Sequence, residues 1–233
     1  MQAGGKTLFY PRCLIRPMYE LPDTVALDVV ILPPDPIAAM AISANRILLA
    51  DNPGGGIHLG KEDCLPHIPV AIFSAKRDDI PDIIAKIDRI ARRCSPMILT
   101  IDTVAKYRTK AGETISAFHI PRLEVLQLFH KKVMKGMKPY VASPAGPGMF
   151  ADEASATSID CLLQFPKTSA YEHYSPHIAL GLGDLPELIP GIDLPVRFEA
   201  RRAAICHLGG HCTCRRVLAR FDLGAGAATG SNR

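Results

Sequence analysis

The sequence predicts an α+β fold: two related lobes about a pseudo-two-fold axis, two antiparallel sheets flanked by helices, and a central cleft. Three observations carry that reading. Pro66-His67-Ile68-Pro69-Val70-Ala71-Ile72 recurs as Pro176-His177-Ile178-Ala179-Leu180-Gly181-Leu182. Asp79-Ile80-Pro81-Asp82-Ile83-Ile84 follows the first copy, and Asp184-Leu185-Pro186-Glu187-Leu188-Ile189 follows the second. Strand-like and helix-like patterns alternate along the chain. A histidine opening an apolar run, then an acid and a proline starting the next element, reads as one supersecondary unit used twice. Packed about a two-fold axis, the two units bring His67 and His177 face to face.

Residues 1–22, with Pro11, Pro17 and Pro22, read as an irregular N-terminal arm; 23–224 form a single bilobal domain; 225–233 are a disordered tail with nothing to bury. Val25 to Leu32 is β-branched and apolar, a buried strand ended by Pro33-Pro34. Asp35-Pro36 opens a helix carrying Ile37 to Leu49, because proline suits a first helical turn. Asn52-Pro53-Gly54-Gly55-Gly56 is a loop, and His67 to Phe73 a strand. Asp78 or Asp79 caps an amphipathic helix with Ile80, Ile83, Ile84, Ile87 and Ala91 on one face. Met97 to Val104 and Thr114 to Ile120 pair around a basic turn from Ala105 to Gly112. Pro121 opens a helix with Leu123, Leu126, Phe129, Val133 and Met137, and Ser143 to Gly148 is linker-like. Ser158 to Phe165 and His177 to Leu182 read as strands, and Pro195–Leu208 and Cys212–Leu223 as a hairpin around Gly209-Gly210.

Composition narrows the function classes. Of 233 residues, 48% are hydrophobic and 21% charged, ordinary for a globular protein. A net charge of +4 permits a phosphate-bearing ligand without any basic block of the kind that binds nucleic acid as an arm. No apolar run is long enough to span a bilayer or to serve as a signal peptide. The seven cysteines, an odd number without disulfide-like spacing, suggest a reduced, cytoplasmic setting.

On a strand, alternate side chains share a face, so His67 lies with Pro69 and His177 with Ala179. Two His-apolar-x-apolar strands in a consistent frame resemble the 2H phosphoesterase superfamily, which includes RNA 2′,3′-cyclic phosphodiesterases and 2′-5′ RNA ligase-like proteins. The resemblance runs from Thr24 to Leu223. It implies that His67 and His177 project into a cleft, one as general base and the other as general acid, without a metal or other cofactor. The substrate implied is a cyclic nucleotide or an RNA-end 2′,3′-cyclic phosphate, and no protein or membrane partner is inferred. An unperturbed imidazole titrates near pH 6.5, so either protonation state is within reach at neutral pH. The family carries threonine or serine two residues after each histidine, where this chain has Pro69 and Ala179. Ser74, Lys76, Tyr174, Ser175, Arg201 and Arg202 are candidate replacement donors by proximity in sequence. A module that binds a nucleotide or RNA end without turnover is the alternative.

Other signals are weaker. Gly55 to Glu62 approaches a phosphate-binding loop but has Glu62 where a hydroxyl residue is needed. His58 lies close before the first motif strand, near the expected cleft mouth. Cys206, Cys212 and Cys214 flank a glycine turn and could converge on zinc in a metal-binding regulatory protein, or serve as small apolar residues of a hairpin. His130 borders an apolar helix face as a packing residue, and neither His119 nor His173 has a partner that the sequence identifies.

Overall fold

A computed structural model describes residues 20–54, 56–109 and 112–225. The arm, apart from its last residues, and nearly all of the tail lie outside them. β1 (Thr24–Leu32) is buried on both faces, as its unbroken apolar run requires, and it pairs antiparallel with β2 (Ile68–Lys76) and β8 (Arg202–Leu208). With β9 (Cys214–Asp222) these make a four-stranded sheet in the order β2-β1-β8-β9. β4 (Thr103–Arg108), β5 (Thr114–His119) and β6 (His177–Leu182) make a three-stranded antiparallel sheet. β3 (Met97–Ile101) pairs with β7 (Val196–Ala200). β3 runs into β4 past Asp102 and β7 into β8 past Arg201, so this short ladder is continuous in chain with both larger sheets.

Four helices pack on these sheets. α1 (Asp35–Asp51), with Pro36 in its first turn, lies on β6. α2 (Ile80–Arg92) buries Ile80, Ile83, Ile84, Ile87 and Ala91, the face expected from sequence, and packs on α3 (Glu124–Met137) and β9. Burying five such side chains contributes several kcal/mol, at roughly 1.5–3 kcal/mol for each large aliphatic one. α4 (Ala156–Thr168) covers the face of β1 and β2 that carries Ala26 and Ile72, using Leu162 and Phe165.

Four expectations change. Met97–Val104 is not one strand: it breaks at Asp102, so that Met97–Ile101 pairs with β7 and only the stretch from Thr103 pairs with β5. Ser158–Phe165 is the middle of α4, not a strand: Ser155 accepts from the Ser158 amide at 3.3 Å as an N-cap, and Ser158, Leu162 and Phe165 are buried at helical spacing. Asp184–Ile189 starts no helix, since Pro190, Gly191 and Pro195 follow too soon; it forms an irregular loop with a bridge from Ile189 to Ile192. The basic stretch after Val104 extends β4 to Arg108, and its Tyr107 enters the sheet.

The sequence repeat has a physical counterpart. Both motif strands are sheet edges, which suits Pro69 because it has no N–H for a ladder, and the two edges lie side by side. Each bulges at the third residue after its histidine: Val29 pairs with Ala71 and Val30 with Pro69, skipping Val70; Ser116 pairs with Gly181 and Ala117 with Ala179, skipping Leu180. Each freed carbonyl is taken by a buried helix side chain. His130 of α3 meets Val70 O at 2.7 Å, and Asn45 of α1 donates to Leu180 O at 2.7 Å.

Candidate active site

His67 is 7% exposed, and its Nδ1 lies 2.8 Å from the Leu65 carbonyl. A carbonyl can only accept, so Nδ1 carries the hydrogen and Nε2 presents a bare lone pair. His177 repeats the arrangement: its Nδ1 lies 2.8 Å from the Ser175 carbonyl, again two residues earlier. Both rings therefore offer Nε2 as a base while neutral. Burial pulls His67 from 6.5 down to about 4, with the Leu65 carbonyl opposing and His177 adding to the fall. Burial also lowers His177, with the Ser175 carbonyl opposing and His119 adding to the fall.

The second lobe surrounds His177 with polar groups. Tyr107 sets its ring 4.9 Å from that of His177, at 35°. His119 is the register partner of His177, and its Nδ1 lies 2.8 Å from Asp102 Oδ1. Asp102 is the partner for His119 that the sequence did not reveal. On the first lobe, Asp28 is fully buried, with Oδ2 at 3.7 Å from His67 Nε2. Its lone charge inside the apolar run Val25–Leu32 was the signal available in the sequence.

The six candidate donors scatter. Ser74 donates to Ala142 O at 2.6 Å and so is taken up in structure. Lys76 is exposed at the end of β2. Tyr174 is buried, its hydroxyl donating to Pro69 O at 2.9 Å. Ser175 Oγ lies 3.5 Å from the Tyr107 hydroxyl, beside the His177 ring. Arg201 forms an ion pair with Glu199, with nitrogen and oxygen 2.6 Å apart. Arg202 lines a cavity of about 750 Å³ together with Arg201, Lys61, Arg220, Asp35 and Glu199; Pro66 borders it, and neither His67 nor His177 does. Strand register sets Arg202 and Arg220 on the sheet face of Asp28, and Pro66 leads directly into His67. His58 lies on the loop entering this region, and His173 ends a turn before β6.

The zinc alternative loses two of its ligands, and the reduced reading of the cysteines is corrected at one pair, while Cys64, Cys94, Cys161 and Cys212 are free thiols. Cys206 and Cys214 form a disulfide across β8 and β9, which removes both thiolates from any ligand set. Cross-strand proximity in the hairpin, not sequence spacing, brings them together. Among the described residues no group of three or more His, Cys, Asp or Glu side chains could hold a metal ion. No helix among them is long and apolar enough to cross a membrane.

No protein-family model matches the sequence, and no curated protein does. Solved structures do match in fold. TT0787 of Thermus thermophilus superposes with a TM-score of 0.55 at 15% identity, covering 86% of this chain and 98% of that one. LigT of E. coli, in complex with NADP+, gives 0.51 at 14% identity, covering 86% and 99%. A structure described as a phosphoesterase gives 0.51 at 13% identity, covering 85% and 98%. The chain thus has the α+β fold of LigT, over nearly the whole length of those proteins.

Proposed function

We propose that the chain is a metal-independent phosphodiesterase of the 2H type, opening a 2′,3′-cyclic phosphate on a nucleotide or RNA end. The observation that carries this reading is the matched pair of imidazoles. Each has its Nδ1 hydrogen tied to the carbonyl two residues earlier, and the motif strands β2 and β6 lie against each other. One Nε2 accepts the proton of an attacking water, whose oxygen bonds to phosphorus. The bond from phosphorus to the 2′ or 3′ oxygen breaks, and the other imidazole, entering protonated, gives its proton to that oxygen. The NADP+ held by LigT supports a phosphate-bearing ligand, and the cavity beside Pro66 carries the bases Lys61, Arg201, Arg202 and Arg220 along with the acids Asp35 and Glu199.

A second reading has its own observation: Pro69 and Ala179 supply no hydroxyl to a phosphoryl oxygen, which favours binding without turnover. Incubating the protein with 2′,3′-cyclic nucleotides in chelator separates the two. The enzyme releases a ring-opened monophosphate. Saturable binding with no product leaves only the binding module.

A further inference from the structure

Asp28 is a carboxyl with no surface exposure, in the middle of a central strand, and neither of its oxygens has a hydrogen-bond partner. A buried polar group left unpaired costs about 1–3 kcal/mol, more if charged. Besides the Ala71 and Val70 amides, it faces Nε2 of His67, at 3.7 Å, which is the nitrogen that the Leu65 carbonyl leaves without hydrogen. A carboxylic acid and a bare imidazole nitrogen are complementary, since one has a hydrogen to give and the other a lone pair to take it.

We propose that Asp28 is the proton partner of His67, a positioning residue that makes His67 the general acid. This rests on the two-histidine reading above. The carboxyl and imidazole share one proton. On Oδ2 it gives a neutral acid facing a neutral ring; on Nε2 it gives a carboxylate facing an imidazolium. A bound phosphodiester anion favours the second form, because the imidazolium then faces negative charge. During the reaction Nε2 passes that proton to the departing sugar oxygen, and the carboxylate recovers one from solvent afterwards. His177, the opposite ring, is left to take the proton of the attacking water. The sequence repeat alone made the two histidines interchangeable, and Asp28, present on one lobe only, breaks that symmetry.

The groups around the pair agree. Burial lifts Asp28 well above the usual carboxylate range; the amides of Ala71 and Val70 oppose that without closing a hydrogen bond, and Cys161 of α4 adds to it. Tyr174 and Cys212 also face Asp28, and both stay protonated because burial and their neighbours raise them. His67 is faced from β6 by His177. A carboxyl whose hold on its proton is strengthened by burial complements an imidazole whose hold is weakened by it.

The test is nitrogen NMR of the imidazoles in the full chain against pH, with the pH–rate profile on a 2′,3′-cyclic nucleotide, for wild type and Asp28→Asn. A shared proton gives two inflections at His67 Nε2 in the wild type and one in Asp28→Asn. In the rate profile, Asp28→Asn moves the alkaline limb down by about one unit or more and lowers kcat more than KM. Identical His67 titrations in the two proteins overturn the proposal. Should Asp28→Asn not fold, the wild-type spectrum decides: a lone step near pH 4 overturns the pair. An inactive wild type whose His67 still shows the paired titration removes the phosphodiesterase reading and keeps the pair. An active wild type unmoved by Asp28→Asn does the reverse.

Discussion

The hydroxyl of Tyr174 donates to the carbonyl of Pro69 at 2.9 Å, joining the two histidine motifs by one partly buried hydrogen bond. Tyr174 stands three residues before His177, and Pro69 two after His67. The same ring stacks flat on His130, with centroids 4.1 Å apart and planes within 3°. His130 in turn reaches the Val70 carbonyl and accepts from the Tyr171 amide at 2.8 Å. Tyr174→Phe keeps the stack and orphans the Pro69 carbonyl. A loss of about 1–3 kcal/mol in urea unfolding is expected, together with lower turnover. Unchanged stability would mean that the bond contributes nothing.

The bulge clamps are expected to behave alike on the two lobes. Asn45 donates to Ile57 O at 2.8 Å as well as to Leu180 O, and accepts from the Leu59 amide at 3.0 Å. Asn45→Ala and His130→Ala each leave buried backbone groups unpaired, at a cost of about 2–4 kcal/mol by denaturant unfolding. Gly181 stands over Asn45 with a φ of 148°, and a Cβ there would meet Asn45 Nδ2 at 3.0 Å. Gly181→Ala is therefore expected to weaken the same clamp.

Acid should destabilise the fold before any carboxylate effect. Burial depresses His67, His130, His177 and His207 in the folded state. The unfolded chain then binds more protons, so their contribution is complete above pH 6.5 and is lost as pH falls toward the folded values, about 4 for His67. Asp28, raised by burial, has the opposite sign: its contribution is complete below its unfolded value of 3.8 and fades as pH rises. Four histidines against one carboxyl make stability fall between about pH 7 and pH 5. Urea midpoints across that range check it, and His67→Gln should flatten the slope.

The Cys206–Cys214 disulfide closes a short loop with a sequence separation of 8. Chain-entropy arguments assign about 2–3 kcal/mol to such a closure. Cys206→Ser with Cys214→Ser should lower stability by that amount while leaving zinc binding absent in both proteins.

The repeat, the buried first strand and the amphipathic α2 were legible because each has a periodic or punctuated signature. α4 was not: Ile159, Leu162, Leu163 and Phe165 also suit a short apolar strand. The two bulges left no sequence trace either, since a skipped residue changes pairing without changing pattern. His67 and His177 stood out through their repetition. Asp102 and Tyr107 did not, because their places depend on register between strands; Asp28 showed only as a lone charge in an apolar run, and the fold alone sets it beside His67.

The most direct measurement is kcat/KM on a 2′,3′-cyclic nucleotide in chelator for His67→Ala, His177→Ala and the double variant. If the two imidazoles serve one step, each single change costs roughly 10²–10⁴-fold, and the double variant is little worse than either single. Wild-type turnover retained by either single variant would contradict the account.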